Sequence, residues 1–221
     1  MLIDLNLRHK SVIIIGEGEE LEARTRQFLD TDAKVIVAGN GFSKTLKRLA
    51  RSKRLELVAC NPLNSWKKLS KRYKPDAVIL ATTNKPNAVK MAKRVRGGGR
   101  VLLYAVDAPR LNDFNMPATA KRGKIRVAVS TGGASPAMAH ILRKRIERTI
   151  TPTDIQQVKL QASIHSQIRK RIPNPNLRRI CIYRIIHNRK IKESLQRNEF
   201  ETARKLANKQ IEQIAQKSLK G

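Results

Sequence analysis

The sequence predicts an α/β protein with a doubly wound parallel sheet, followed by a small antiparallel segment and an all-helical C-terminal region. Over the first hundred residues, buried β-branched runs such as Val12–Ile15 alternate with amphipathic stretches, and Gly16-Glu17-Gly18 follows that first run directly. Alternating strands and helices imply right-handed parallel crossovers within one sheet. From residue 151 onwards only helical patterns remain, which predicts a separate region.

Five short apolar runs are the predicted strands of the sheet. Their continuous β-branched character is typical of strands that are buried on both faces. In order along the chain they are Ser11–Ile15, Lys34–Ala38, Leu55–Ala59, Asp76–Ala81 and Arg100–Val106. Helices are predicted between them, at Glu19–Asp30, after the N-cap candidate Ser43, and at Asn87–Val95.

The pattern changes after Asp107. Residues 124–129 alternate as in an antiparallel strand, and a helix is predicted at Ala137–Arg148. Three more helices are predicted at about 153–172, 177–188 and 198–218, where an apolar stripe indicates packing on the body or on a partner subunit. We therefore divide the chain into residues 1–113, 114–150 and 151–221, and expect the last region to need a docking surface.

The strong positive charge raises a nucleic-acid hypothesis, because neutralising phosphates is its commonest use. The chain has 47 Lys and Arg against 17 Asp and Glu, a net charge of +30. Residues 1–147 hold 30 basic and 12 acidic side chains, and residues 148–221 hold 17 and 5, so no basic tail stands out. Four Phe, three Tyr and one Trp are too few to favour base stacking. A nucleic-acid-binding or regulatory protein remains the disfavoured alternative.

The distribution of other residues predicts a cytoplasmic protein without a membrane span or metal site. No apolar run reaches the length of about 18 residues that a membrane helix needs. Cys60 and Cys181 lie far apart in the sequence, which predicts two reduced thiols in a cytosolic protein. The four histidines show no spacing typical of metal ligands.

The Gly16-x-Gly18 turn lies between a buried strand and a helix, where a dinucleotide fingerprint of the Rossmann type belongs. The first glycine permits a tight turn, and the second lets the backbone approach a pyrophosphate at the helix N-terminus. Leu21 stands where a third small residue is expected, and four glutamates crowd the turn. No acid follows the second strand, where Asn40 stands instead. A plain strand-to-helix turn remains the alternative.

Polar residues also follow the fourth and fifth strands. Thr82 and Thr83 end the fourth, and Asp107 ends the fifth. Open α/β sheets bind ligands at this carboxyl edge, so Asp107 is either a carboxylate at the rim of the cleft or a turn residue before a proline. The later loop Ser130–Pro136 either caps the helix that follows, which is the favoured interpretation, or binds a carboxylate or phosphate.

Taken together, these motifs resemble the precorrin-2 dehydrogenase family, the N-terminal module of siroheme synthases, over about residues 1–148. The matching segments are VIIIGEGEE, NPLNSW, AVILATTN, AVDAP, DFNMPA and VAVSTGGASP. The resemblance implies an NAD-binding Rossmann domain at 1–113, a dimerisation segment of a homodimer at 114–150, and a helical region at 151–221. It also implies oxidation of precorrin-2, an octacarboxylate, to sirohydrochlorin. Some members also insert Fe²⁺ into that product.

The resemblance carries functional residues onto this sequence. Asp107 falls on the catalytic aspartate, a general base, with Arg110 beside it and Thr131 as candidates for substrate binding. The positions that would bind NAD are Gly16, Gly18, Glu19, Glu20, Asn40, Gly41, Thr82 and Thr83. This chain departs from the family pattern at Glu17, which replaces a glycine, at Arg24, which comes one residue late, and at Tyr104, which replaces an asparagine.

Overall fold

A computed structural model describes residues 2–82 and 84–218 of the chain. Contacts within the chain divide it into two compact units, one ending at Met116 and the other beginning at Pro117. Phe114 and Met116 pack against a core cluster of the first unit. The two units are described separately below.

The first unit is built on a five-stranded parallel sheet, which confirms the predicted fold class. The strands are β1 (Ser11–Gly16), β2 (Lys34–Gly39), β3 (Glu56–Ala59), β4 (Ala77–Ala81) and β5 (Leu102–Ala105). Their order in the sheet is β3-β2-β1-β4-β5, so the direction of winding reverses at β1. In sheets of this kind, ligands bind beyond the carboxyl ends of the strands at the point of reversal.

Four helices cover the two faces of this sheet. They are α1 (Gly18–Leu29), α2 (Lys44–Arg51), α3 (Pro62–Tyr73) and α4 (Lys85–Arg96). The side chains of α1 and α2 pack on one face with Val12 and Ile14, and those of α3 and α4 pack on the other with Ile13. The sequence patterns did not single out α3, although Asn61 caps it and a proline opens it.

The second unit begins with a two-stranded antiparallel hairpin. It consists of β6 (Ala118–Arg122) and β7 (Ile125–Val129), and α5 (Pro136–Thr149) packs against both strands. Gly123 in the turn has φ +61°, and a Cβ there would lie 2.8 Å from Cγ2 of Ile155. The turn therefore needs glycine both for its backbone conformation and for its contact with the following helix.

The C-terminal region contains four helices in its described residues, so the prediction of three was wrong. They are α6 (Pro152–Arg171), α7 (Pro175–Ile186), α8 (Arg189–Gln196) and α9 (Phe200–Ser218). The missed helix, α8, is short; Asn188 caps its start, and Asn198 at φ +60° follows its end. The apolar stripe of α9 packs on α6, α7 and α8, so the region has its own core and the expected docking surface is not needed to bury it.

None of the helices in the described part of the chain combines the length and the apolar character needed to cross a bilayer.

Candidate nucleotide-binding and catalytic site

A cleft of about 140 Å³ lies at the carboxyl edge of the parallel sheet in the first unit. It is formed by the ends of β1, β2 and β4 together with the start of α3 and the first two turns of α4. The lining residues are Ile15, Gly16, Glu17, Gly39, Asn40, Asn61, Pro62, Leu63, Leu80, Thr82, Asn87 and Met91. Three predicted cofactor residues, Gly16, Asn40 and Thr82, are therefore brought together in one cavity.

Close packing of three strands at this edge explains two of the glycines. A Cβ on Gly16 would lie 1.9 Å from the carbonyl oxygen of Ala81 in β4. A Cβ on Gly39 would lie 2.6 Å from the carbonyl oxygen of Gly16. No side chain fits at either position, so the floor of the cleft is bare backbone, as close approach of a dinucleotide requires.

The start of α1 fits a pyrophosphate in its backbone geometry. Gly18 has φ +65°, and a Cβ there would meet nothing within 4 Å, so space is open above it. Glu17 precedes the helix in an extended conformation and makes no side-chain hydrogen bond to the first-turn amides. These amides and the positive end of the helix dipole are therefore available to an anion.

The four glutamates of the turn have different surroundings. Glu20 pairs with Arg24 at 2.6 Å, and Glu22 accepts hydrogen bonds from Ser43 and Arg26. The Ser43 hydroxyl and then Arg26 lower the pKa of Glu22 below its usual range. Glu19 is exposed and does not line the cleft, so Glu17 is the one glutamate among the lining residues.

Arg24 and Tyr104, two residues at which the sequence departs from the family pattern, lie close together. The guanidinium of Arg24 lies 5.6 Å from the ring centroid of Tyr104, within the range of a cation–π contact. Tyr104 also packs against Phe114 with ring centroids 5.6 Å apart. Because Arg24 also binds Glu20, the altered turn is tied to β5 through a pair of residues that both depart from the family.

Asp107 lies at the same edge of the sheet as Thr82. Leu80 of β4 pairs with Ala105 of β5, so each of these polar residues stands two positions beyond a paired residue. Asp107 is half-buried, and Arg110 is exposed in a 3₁₀ turn, Pro109–Leu111, that follows it. Asp107 does not belong to the lining of the 140 Å³ cleft.

The remaining predicted residues are placed as follows. Thr131 lies in the second unit, where its hydroxyl accepts from the amide of Ser135 at 3.0 Å and donates to the carbonyl of the same residue at 3.1 Å. Ser135 caps α5, as the favoured interpretation of this loop predicts. Gly41 follows β2 with open space around it, and Thr83 lies outside the described residues.

Sequence reasoning missed the cleft residues on α3 and α4. Asn61 caps α3 by accepting from the amide of Asn64, and Asn87 and Met91 lie on α4. An asparagine just before a proline and a helix marks the α3 N-terminus and could have identified it. Within residues 2–82 and 84–218, no group of three or more His, Cys, Asp or Glu residues could hold a metal ion.

Two family comparisons match consecutive parts of the chain. Residues 3–118 match the family described as "Putative NAD(P)-binding", and residues 122–149 match the one described as "Sirohaem biosynthesis protein central". In a comparison of folds, SirC, described as precorrin-2 dehydrogenase, superimposes with a TM-score of 0.72 over 96% of this chain and 99% of its own. The two sequences are 17% identical, so this likeness establishes the fold.

Sequence relatives are siroheme synthases. The protein of Methylococcus capsulatus is 32% identical over 80% of this chain, that of Xylella fastidiosa 29% over 79%, and siroheme synthase 2 of Serratia proteamaculans 27% over 94%. The matches cover 36% of the first two relatives and 42% of the third, so this chain spans about two fifths of their length. The resemblance that the motifs predict is confirmed.

Proposed function

The chain belongs to the family described as putative NAD(P)-binding, and from this premise we propose that it is an NAD-dependent precorrin-2 dehydrogenase. The observation that carries this proposal is the backbone floor of the cleft at Gly16 and Gly39 beside the uncapped start of α1. The names of the sequence relatives and of the structural neighbour supply the reaction class.

The residues at the carboxyl edge would hold NAD. The amides at the start of α1 would bind the pyrophosphate over Gly16 and Gly18, with Glu19 and Glu20 in the same turn. Asn40 and Gly41 would contact the adenosine ribose, since the acid usual after the second strand is absent. Thr82 would lie beside the cofactor at the end of β4, and the family resemblance assigns a cofactor contact to Thr83 as well. When bound, NAD would supply the acceptor for the hydride.

Asp107 would act as the general base. Oxidation of precorrin-2 removes a hydride and a proton from the macrocycle, so a group at the site has to take the proton. Asp107 is half-buried just beyond the end of β5. Within the described residues, no side chain forms a hydrogen bond or an ion pair with its carboxylate. A positioned base typically contributes about 10²–10⁴-fold to the rate. Arg110, which is exposed in the turn after Asp107, would bind a carboxylate of the substrate.

The test is the formation of NADH when purified protein is given precorrin-2. We expect wild-type protein to reduce NAD, and Asp107→Ala to lose about 100-fold or more in kcat while its Kd for NAD changes less than twofold. Asp107→Asn is the isosteric control, and it should be as slow as the alanine variant because it also lacks a base. Wild-type protein that produces no NADH would refute the proposed function.

Iron insertion is a second reaction that the same site could perform. The sequence relatives are named siroheme synthases, and Asp107 could accept the pyrrole protons that Fe²⁺ displaces as a substrate. Incubation of sirohydrochlorin and Fe²⁺ with the protein should then form siroheme faster than the spontaneous reaction. A rate equal to that of the protein-free control would reject this second activity.

We propose that residues 114–150 form the interface of a homodimer. On α5, Met138, Ile141 and Ile146 are 44%, 49% and 42% exposed, which leaves an apolar helix face in water. Ile141→Lys should convert a dimer to a monomer in sedimentation velocity. A wild-type monomer at micromolar concentration would refute the interface.

We also propose that the enzyme works in the cytoplasm. Cys60 and Cys181 are both free thiols, as expected in a reducing compartment. Fractionation of cells that produce the tagged protein should recover it with cytoplasmic markers, and its recovery in an exported fraction would refute this placement.

A further inference from the structure

The loop that carries Asp107 is attached to the outer edge of β5 by side chains. β5 ends the order of strands, so one of its edges lacks a neighbouring strand. On that edge the amide of Ala105 donates to Oδ1 of Asn112 at 2.6 Å, and the amide of Leu103 donates to Oδ2 of Asp113 at 2.9 Å. The amide of Asp113 donates in return to the carbonyl of Leu103 at 2.9 Å. These bonds take the place of a sixth strand.

Arg96, in the last turn of α4, holds the same segment from the other side. Its Nη2 atom donates to Oδ1 of Asp113 at 2.9 Å and to the carbonyl of Leu111 at 2.8 Å. In both bonds the donor is the charged guanidinium, and such hydrogen bonds are stronger than those between neutral groups. We call Arg96, Asn112 and Asp113 the edge clamp.

The edge clamp closes the far end of a short loop whose near end is part of the sheet. At the near end, the amide of Val106 donates to the carbonyl of Leu80 at 3.1 Å. Between the two ends the chain passes through Asp107 and the 3₁₀ turn. In the described part of the chain, Asp107 makes no side-chain hydrogen bond or ion pair, so the position of its carboxylate depends on the backbone of this loop and on local packing.

We propose that the edge clamp positions Asp107 for proton removal, with Asn112 as its decisive member; the inference rests on the proposed function. Asn112 binds the amide of Ala105, two residues before Asp107, and that amide belongs to a buried residue. Without this acceptor the buried amide is left unpaired, and the attachment of the loop to the strand next to Asp107 is weakened. A displacement of about 1 Å at a catalytic group can cost about 100-fold in rate.

The test compares two substitutions that differ in hydrogen bonding and little in size. Asn112→Leu removes the acceptor, and Asn112→Asp keeps one. The matched control is Asn188→Leu, which removes an asparagine oxygen that accepts from the amide of Ile191 at 3.0 Å, at the start of α8. For each protein we would measure kcat with precorrin-2, Kd for NAD by calorimetry, and hydrogen exchange of the Ala105 amide.

We expect Asn112→Leu to lower kcat about 10- to 100-fold with a Kd for NAD within twofold of wild type. Asn112→Asp should keep at least a third of wild-type kcat, and Asn188→Leu should match wild type. The proposal is overturned if Asn112→Leu keeps wild-type kcat, if Asn112→Asp is as slow as Asn112→Leu, or if Kd rises by the factor by which kcat falls.

Two further measurements keep the test decisive. If Asn112→Leu does not fold, Arg96→Gln replaces it, because the Arg96 side chain is 51% exposed and its loss spares the core. An unchanged kcat in Arg96→Gln would then overturn the proposal, and a fall of at least fivefold at constant Kd would support it. If wild-type protein binds NAD but does not oxidise precorrin-2, the proposed function fails. Hydrogen exchange of the Ala105 amide then tests whether the edge clamp holds the loop. Faster exchange of the Ala105 amide in Asn112→Leu supports the clamp, and unchanged exchange refutes it.

Discussion

Replacement of Gly16 by alanine should damage both the sheet and the cleft. The added Cβ would lie 1.9 Å from the carbonyl oxygen and 2.5 Å from the carbonyl carbon of Ala81. To reach an ordinary contact of 3.4 Å, β1 and β4 would have to separate by about 1.5 Å at their carboxyl ends. That movement breaks the bond from the Glu17 amide to the Ala81 carbonyl, which is 3.4 Å long. Overpacking and one lost bond together cost about 2–4 kcal/mol.

The assay is denaturation followed by the fluorescence of Trp66, the sole tryptophan, which is buried in α3. Gly41→Ala is the matched control, because its Cβ would meet nothing within 4 Å and its backbone is not left-handed. The control should change the free energy of unfolding by less than about 1 kcal/mol. We also expect Gly16→Ala to weaken NAD binding about tenfold or more. If the free energies of unfolding of the two variants differ by less than about 0.5 kcal/mol, the tight contact between β1 and β4 does not exist in solution.

Three further changes test electrostatics. Glu17→Gln should tighten NAD binding about fivefold at low salt, because an unpaired charge beside a pyrophosphate costs about 1 kcal/mol in water. The amide of Ser11 donates to the Asp76 carboxylate and lowers its pKa. The ionised carboxylate therefore stabilises the folded state at pH values above the usual carboxyl pKa, and this stabilisation is lost as pH falls through the lowered pKa. Acid denaturation of Asp76→Asn should therefore be less steep. Burial and then Glu56 raise the pKa of Tyr73 to about 12, so folded protein loses stability between pH of about 10 and about 12, and Tyr73→Phe should lose less.

Each of these changes has its own control. Glu19→Gln removes an exposed charge of the same turn that does not line the cleft, and it should alter NAD affinity less than Glu17→Gln. Equal effects of the two would contradict the position of Glu17. For Asp76 and Tyr73, unfolding is measured at several pH values, and acid or alkaline curves that coincide with wild type would show that these contacts contribute nothing.

Local patterns predicted the five strands of the parallel sheet, although not the helix α3 between β3 and β4. The β-branched runs predict strands buried on both faces, and the strand–Gly-x-Gly–helix arrangement predicts a nucleotide site at the end of β1. Short elements that begin and end at polar residues were harder to predict from the sequence. α8 has eight residues, too few for a periodic apolar pattern to distinguish it from a turn, and its N-cap Asn188 and the following Asn198 are equally typical of loop residues.

The sequence by itself therefore determined the fold class of the first unit, and together with the family resemblance it predicted the nucleotide edge and the candidate base Asp107. Only the tertiary structure decided which of the clustered glutamates lines the cleft, because Arg24 binds Glu20, Ser43 binds Glu22, and Glu19 is exposed away from the cleft lining. It also decided what holds the Asp107 loop, since Asn112 bonds to the edge of β5. Such partners depend on how the chain folds back on itself, and spacing along the sequence does not encode them.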